Sequence, residues 1–493
     1  MFRVLILAVF FSRSVLGIEG LFLCPELIFD NGTRSRFPTH EAETISKLPT
    51  DRPTLVVVDG LSAGAEYSVL GRKMFPRMNI IHVQTAAKMS PGLISSFNPA
   101  SYDANIVYTP ARLNHLARLL APFRMNTLRV VAGTETSPRV RTLLTDALSL
   151  PGTSAATSNI LGNKYLAAQA VSPYVKTIGG NQFTDAQAAW DWAQSQNFLF
   201  PMMVKPVDAA GSFGVTAVKS KDEFFRAFRK ILGRWNPLGI RSTAMLVQPY
   251  ISRRDFTEYV IDAVVNPEHG ASLAECLVYN KEEIDGLITY RTTRLLHLRE
   301  DDPLYSPFIN VADGVAKAYQ MVDGVLHIEV FVKNGTYPPE IYFIEAGARP
   351  GGGGIPALAR AAGAYDSISL HLLSMFSPDE YARVIEGENV PTSHGIQVEL
   401  LGPPIKGLIG EVPTEDEFRQ RIPDFHSASL HLKAGHWAGP AQDLFEGPGV
   451  IDVVGSEQIV DGAEASVRDW EASGDLYRFR TPRWRDYIPW PWR

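Results

Sequence analysis

Cysteine is almost missing from this chain. Its 493 residues include two, Cys24 and Cys276, far apart and without a neighbouring cysteine–histidine array. That pattern argues against a disulfide scaffold and a structural zinc site. No dense lysine and arginine run with interleaved aromatics occurs, and the formal net charge is −6, so nucleic acid is not an expected partner. No segment approaches the roughly 20 apolar residues of a membrane span, which excludes an integral membrane protein. No internal repeat or low-complexity stretch stands out. At 45% hydrophobic and 20% charged residues, the chain is ordinary globular material, long enough for several domains with their own cores.

The N-terminus carries two readings. Arg3, an apolar run and the small-residue stretch ending at Gly17 fit a secretory signal. The break at Ser12, Arg13 and Ser14 fits instead an extension or a first buried strand.

Beyond residue 50 the chain is periodic. Val- and Ile-rich runs at 54–60, 79–85, 104–109 and 127–135 alternate with helix-like segments such as "PARLNHLARLLAPF". Strands alternating with helices predict a parallel α/β domain over about 51–158. Residues 202–218 then give two strand runs around a glycine-bearing loop, "KDEFFRAFRKILGRW" has helical spacing, and 256–349 is mostly strand. From 394 onward the pattern is short strands plus one terminal helix, and the tryptophan- and proline-rich end reads as a packing tail.

Four elements carry candidate chemistry, each with a bland alternative. Lys205 lies inside an apolar strand run, where an ammonium needs an anion. The small-residue loop after it, with Ala209, Gly211, Ser212 and Gly214, brings backbone N–H groups near phosphate oxygens or is a plain turn. Gln248, Pro249, Tyr250 and Ile251 end one strand, and Glu258 lies on the next; these are a purine and ribose wall or two ordinary strands.

The third element is the pair of runs "VLHIEVFV" and "IYFIEAGAR", with Asn334-Gly335 between them, which predicts a hairpin. Alternation places His327, Glu329 and Phe331 on one face, and Phe343 with Glu345 on one face of the partner strand. Two inward carboxylates repel unless a cation lies between them, and magnesium, with its oxygen ligands and phosphate bridging, is the candidate. Fourth, Arg349 precedes four glycines, 351–354. Its planar fork suits carboxylate or phosphoryl oxygens; the glycines shape a substrate loop or an unstructured one.

The order of these elements, with Lys164 ahead of them, resembles the ATP-grasp superfamily, and within it the branch of L-amino-acid (dipeptide) ligases. The likeness covers about 54–480. It includes "VVVDGLSAGAEYSVL", "GNKYLAAQAV" and "VRDWEASGDLY". The resemblance implies a multidomain α/β and α+β protein. It would have an extension (1–50), a parallel α/β domain (51–158), two α+β subdomains gripping ATP (a lid, 159–247, and a central part, 248–393), and a β-rich C-terminal part (394–493).

It further implies that Lys164 and Lys205 contact ATP phosphates, that the loop from Ala209 to Gly214 closes over them, and that Gln248, Pro249, Tyr250 and Ile251 line the adenine pocket. Glu258 would hold ribose, and Glu329 and Glu345 would bind Mg2+. Arg349 and Lys205 would serve the reaction. That reaction is ligation of a carboxylate to an amine through an acyl phosphate, with amino acids as the small-molecule partners by the family's example. Two departures are visible. Gln248 stands where many members have glutamate, and Gly347 stands where many have a metal-binding asparagine, as in the amino-acid ligase branch. A larger natural-product acid or amine, or a regulatory protein that has lost catalysis, are the competing readings. ATP use implies the cytoplasm, and a homodimer is compatible with the family.

Overall fold

The computed structural model describes residues 42–85 and 96–482, apart from 285, 388, 442 and 446. The two readings of the first residues, Cys24 and most of the tryptophan-rich tail fall outside them.

Four strands, β1 (Thr54–Val58), β2 (Asn79–Gln84), β3 (Ala104–Val107) and β4 (Leu128–Ala132), form a parallel sheet in the order β3-β2-β1-β4. Every residue of β1 and β2 is buried, as Val/Ile runs must be when both faces are covered. Alternation divides them. Val56, Val58, Ile81 and Val83 pack on Leu116, Leu120, Val140 and Leu144 of the helices Leu113–Leu120 and Pro138–Ala147. Leu55, Val57 and Ile80 face the other way, onto Tyr67 and onto Ile368 and Leu372. Those last two come from the helix Ser367–Phe376, so the first domain shares a core with the centre of the molecule.

The second sheet is antiparallel and runs through two lobes. Strands β5 (Asn181–Phe183), β6 (Met202–Pro206), β7 (Thr216–Val218) and β8 (Met245–Pro249) make the smaller lobe. Helices Ala186–Ser195 and Lys221–Ile231 cover it, each started by a side-chain cap: Asp185 accepts from Ala188 N–H (2.8 Å) and Ser220 from Glu223 N–H (3.3 Å). The larger lobe holds β9 (Phe256–Asn266), β10 (Gly270–Ile284), β11 (Leu287–Leu295), β12 (Gly324–Lys333) and β13 (Ile341–Gly347), in the order β13-β12-β9-β10-β11. Helix Tyr305–Tyr319 backs it, with Phe308, Val311, Val315 and Tyr319 against Ile261, Ile328 and Phe343. Among the described residues the two lobes share one strand pair, Thr216 with Leu287. Beside it the Ala217 N–H donates to Gly286 O (2.9 Å).

The predicted hairpin is present, with one correction. Glu329 and Glu345 are direct cross-strand partners, but the register slips between Glu329 and Val330, so that Val330 pairs with Phe343 and Ile344 is the extra residue. Such a bulge breaks simple alternation. Phe343 therefore joins the core under the sheet with Val330, while Ile344 turns to the cleft side with Phe331.

Beyond the larger lobe, β14 (His394–Glu399) pairs with β11 and with β18 (Gly449–Gly455), and β18 with β16 (Phe425–Leu430). β15 (Gly407–Glu411) forms a small sheet with β17 (Trp437–Ala438) and β19 (Arg478–Phe479). The helix Glu457–Ser473 packs Val460, Val467 and Trp470 against this C-terminal part. The architecture is the mixed α/β one expected, with strands from 394 onward woven into the central sheet.

Candidate functional site

Between the lobes lies an open cleft. Lys164, Lys205, Ala209, Gly211, Ser212, Gln248, Pro249, Tyr250, Ile251, Glu258, Glu329 and Glu345 all line it. Two of the singled-out residues lie elsewhere. Gly214, with φ +67, lies against Ile231 of the helix Lys221–Ile231, and Arg349 borders a small adjoining cavity.

Each wall follows from local structure. Lys205 is carried by β6 and is 5% exposed. Burial lowers its pKa, and Glu345 pushes it back up; an ammonium held this way gains from an arriving anion. Lys164 opens the helix Lys164–Val171, which Asn163 caps by accepting Leu166 N–H (3.0 Å). Its ammonium donates to Ala209 O and stands 3.5 Å from Glu345 Oε2. The loop between β6 and β7 uses left-handed backbone at Gly211 (φ +63) and Ser212 (φ +61), a geometry that turns consecutive N–H groups to one side.

The acidic wall is balanced unevenly. Glu258 is 3% exposed. Burial alone would raise its carboxyl, but Lys281 (2.5 Å) and Arg253 (2.8 Å) overcome that and hold it near 2. Glu329 has a weaker share: Lys281 is 3.4 Å away. Burial, with help from neighbouring Glu345, raises its carboxyl to about 7 despite Lys281. Glu345 is half-buried at the cleft surface.

Lys164, Lys205 and Lys281 surround this pair, and the carboxylates border the open cleft. Among the described residues no cluster of three or more metal-ligating side chains exists. A closed cage for zinc is therefore not formed, whereas a carboxylate pair beside a cleft fits Mg2+, which keeps water and phosphate oxygens among its ligands.

In the adjoining cavity, Arg349 Nε donates to Glu135 Oε2 (2.7 Å), Nη2 lies 2.5 Å from the same oxygen, and Nη1 donates to Pro350 O (2.8 Å). Glu135 comes from the loop after β4, in the first domain. Burial would raise its carboxyl; Arg349 and Lys164 lower it below the usual range. His327 lines the same cavity, with Nδ1 2.6 Å from Oδ1 of fully buried Asp262. Asp262 Oδ2 accepts Gly351 N–H (3.2 Å) and so ties down the start of the glycine run. Lys164 and Glu345 border both cavities. The two spaces meet at these side chains.

Residues 198–357 match the model of the ATP-grasp domain. That stretch is an ATP-grasp domain. Dapdiamide A synthase of Enterobacter agglomerans is 24% identical to it over 446 residues, 87% of this chain and 97% of that one. An L-amino acid ligase from Bacillus licheniformis superposes with a TM-score of 0.64 at 17% identity, covering 88% of this chain and all of the other. N5-carboxyaminoimidazole synthase from Aspergillus clavatus, solved with ADP and an aminoimidazole ribonucleotide, gives 0.56 at 14% identity, with 86% of this chain and 100% of that one covered. At these identities the superpositions speak for the fold.

Sequence reasoning passed over Glu135, Arg253, Lys281, Asp262 and Tyr290. Lys281 had a signal: it prolongs the apolar strand run that ends at Asn280. Glu135 had none, because a carboxylate in "AGTETS" is what any surface loop offers.

Proposed function

We propose that this ATP-grasp enzyme is a carboxylate–amine ligase that uses Mg2+-ATP to join small molecules, with amino acids as the substrate class. The observation that carries the reading is that Glu345 and Lys164 border both cavities, with Glu329 directly across the strand pair. A phosphate at the end of the first cavity lies beside whatever occupies the second.

The cleft residues take the roles their placement suits. Lys205 and Lys164 neutralise phosphate oxygens, and N–H groups of the 209–214 loop add hydrogen bonds. Gln248, Pro249, Tyr250 and Ile251 flank the base. Glu258, kept ionised by Lys281 and Arg253, accepts from ribose hydroxyls. Glu329 and Glu345 would hold Mg2+, which when bound offsets charge on the triphosphate.

In the first step an oxygen of the substrate carboxylate attacks the γ-phosphorus, the bond from that phosphorus to the β,γ-bridging oxygen breaks, and ADP leaves. Two anions meet in this step, so charge neutralisation by the lysines is the main lever. The second step is attack of an amine nitrogen on the acyl carbon. The acyl carbon–oxygen bond breaks, phosphate departs and the amine gives up a proton. Arg349, immobilised by Glu135, is placed to hold the oxyanion that forms. No enzyme nucleophile is needed.

A cytoplasmic location accompanies this reading, because ATP is kept there. The test is ADP release from Mg2+-ATP with a mixture of L-amino acids, with products identified by mass spectrometry. Release requiring both an acid and an amine, with a new amide mass, is the expected result. ATP binding without such turnover would leave a regulatory nucleotide-binding role instead.

A further inference from the structure

The glycine loop over the phosphates is held from outside its own lobe. Residues 443–445 form a turn in the C-terminal part: the Asp443 side chain accepts Phe445 N–H (2.9 Å), and its carbonyl accepts Gly447 N–H (3.1 Å). From this turn Leu444 donates its N–H to Gly211 O (3.2 Å). The Phe445 ring lies against Gly211 so closely that a Cβ there would sit 2.8 Å from Phe445 Cε2, and 3.4 Å from the Leu444 Cβ. The Leu444 side chain packs on the cluster containing Tyr279, Tyr290 and Ile355. One short turn thus touches both jaws.

We propose that Leu444 and Phe445 are a latch on the phosphate loop, positioning residues that hold the lid down while the acyl phosphate awaits the amine. The inference rests on the proposed ligase function. Its physical basis is two attachments. The lobes are joined in the sheet by one residue pair, Thr216 with Leu287. The loop that leads into β7 at this seam is met in addition, from the C-terminal part, by a backbone hydrogen bond and an aromatic face. A latch there matters because of a side reaction. If water reaches the acyl carbon, its oxygen attacks, the acyl carbon–oxygen bond breaks, and carboxylate and phosphate are released. ATP is then consumed with no amide formed. Exclusion of water is what a closed lid provides. Gly211 is required at its position twice over, by its left-handed backbone and by the ring beside it.

The full chain and its Phe445→Ala and Phe445→Leu variants would be given Mg2+-ATP and a mixture of L-amino acids. ADP is followed by a coupled assay and amide by mass spectrometry. The wild type is expected to release about one ADP per amide, and Phe445→Ala to raise that ratio about threefold or more, with its melting temperature little changed. Phe445→Leu, which restores an apolar side chain, recovers most of the coupling. A wild-type ratio in a folded Phe445→Ala variant would overturn the latch while leaving the ligase reading intact. A wild type that makes no amide would overturn both.

Discussion

Arg349 and Glu135 are 214 residues apart in the chain, yet the guanidinium places two nitrogens within 2.7 Å of one Glu135 carboxylate oxygen. The pair joins the end of β13 to the loop after β4, so the first domain supplies part of the wall of the cavity beside the cleft. Both groups are largely shielded from solvent, where one partner without the other is costly.

Arg349→Ala is expected to lower kcat by about 100-fold or more, the size of losing one good oxyanion donor. The KM for ATP should stay within about twofold, since Arg349 does not line the cleft proposed for the nucleotide. Glu135→Gln should lower kcat less, because the arginine remains but is held less firmly. Steady-state kinetics with ATP and the amine varied separately distinguish these outcomes. A kcat unchanged by Arg349→Ala would remove the residue from the reaction.

Lys281 stands between Glu258 and Glu329 and is 9% exposed. Lys281→Met keeps most of the volume, takes the nearest cation from Glu329 and leaves Glu258 with Arg253 alone. Unfolding in denaturant should show a loss of roughly 3–5 kcal/mol, the usual consequence of breaking a buried pair. Part of that loss should return when Glu258→Gln is added. A change below about 1 kcal/mol would mean that these charges are solvated.

The first domain supplies a pH test far from the cleft. His82 on β2 is 1% exposed, beside Phe97 and Tyr102. Burial drops its pKa from 6.5 to about 3, outweighing a hydrogen bond to Asn105. The unfolded chain therefore binds the proton between pH 6.5 and 3 while the folded chain does not. The stability is present above pH 6.5 and falls as the pH is lowered through that window, by at most about 1.4 kcal/mol per pH unit. Subtracting the unfolding curve of His82→Gln should isolate this slope between pH 6 and 4, taken as about the middle of that range. Parallel curves would contradict it.

The sequence showed most of the cleft because its residues follow one another along the strands that carry them. Asn334-Gly335 announces the hairpin, and the hairpin brings Glu329 opposite Glu345. What stayed hidden depends on contacts between distant segments. β11, "LITYRTTRL", alternates apolar residues with threonine and arginine, and its edge is completed by β14 from more than a hundred residues on, so no local pattern marks it as an inner strand. The bulge at Ile344 is invisible because any run of apolar residues accommodates either register. Glu135, Leu444 and Phe445 gain meaning only when the domains close around the cleft.

The most direct test concerns the two facing carboxylates. Mn2+ can stand in for Mg2+, and its paramagnetic resonance signal falls when it is bound with ATP on the protein. The wild type is predicted to take up Mn2+ with ATP tightly, and Glu329→Gln with Glu345→Gln to weaken that uptake by about tenfold or more, while the fold persists. Equal uptake by the wild type and the double variant would contradict the account.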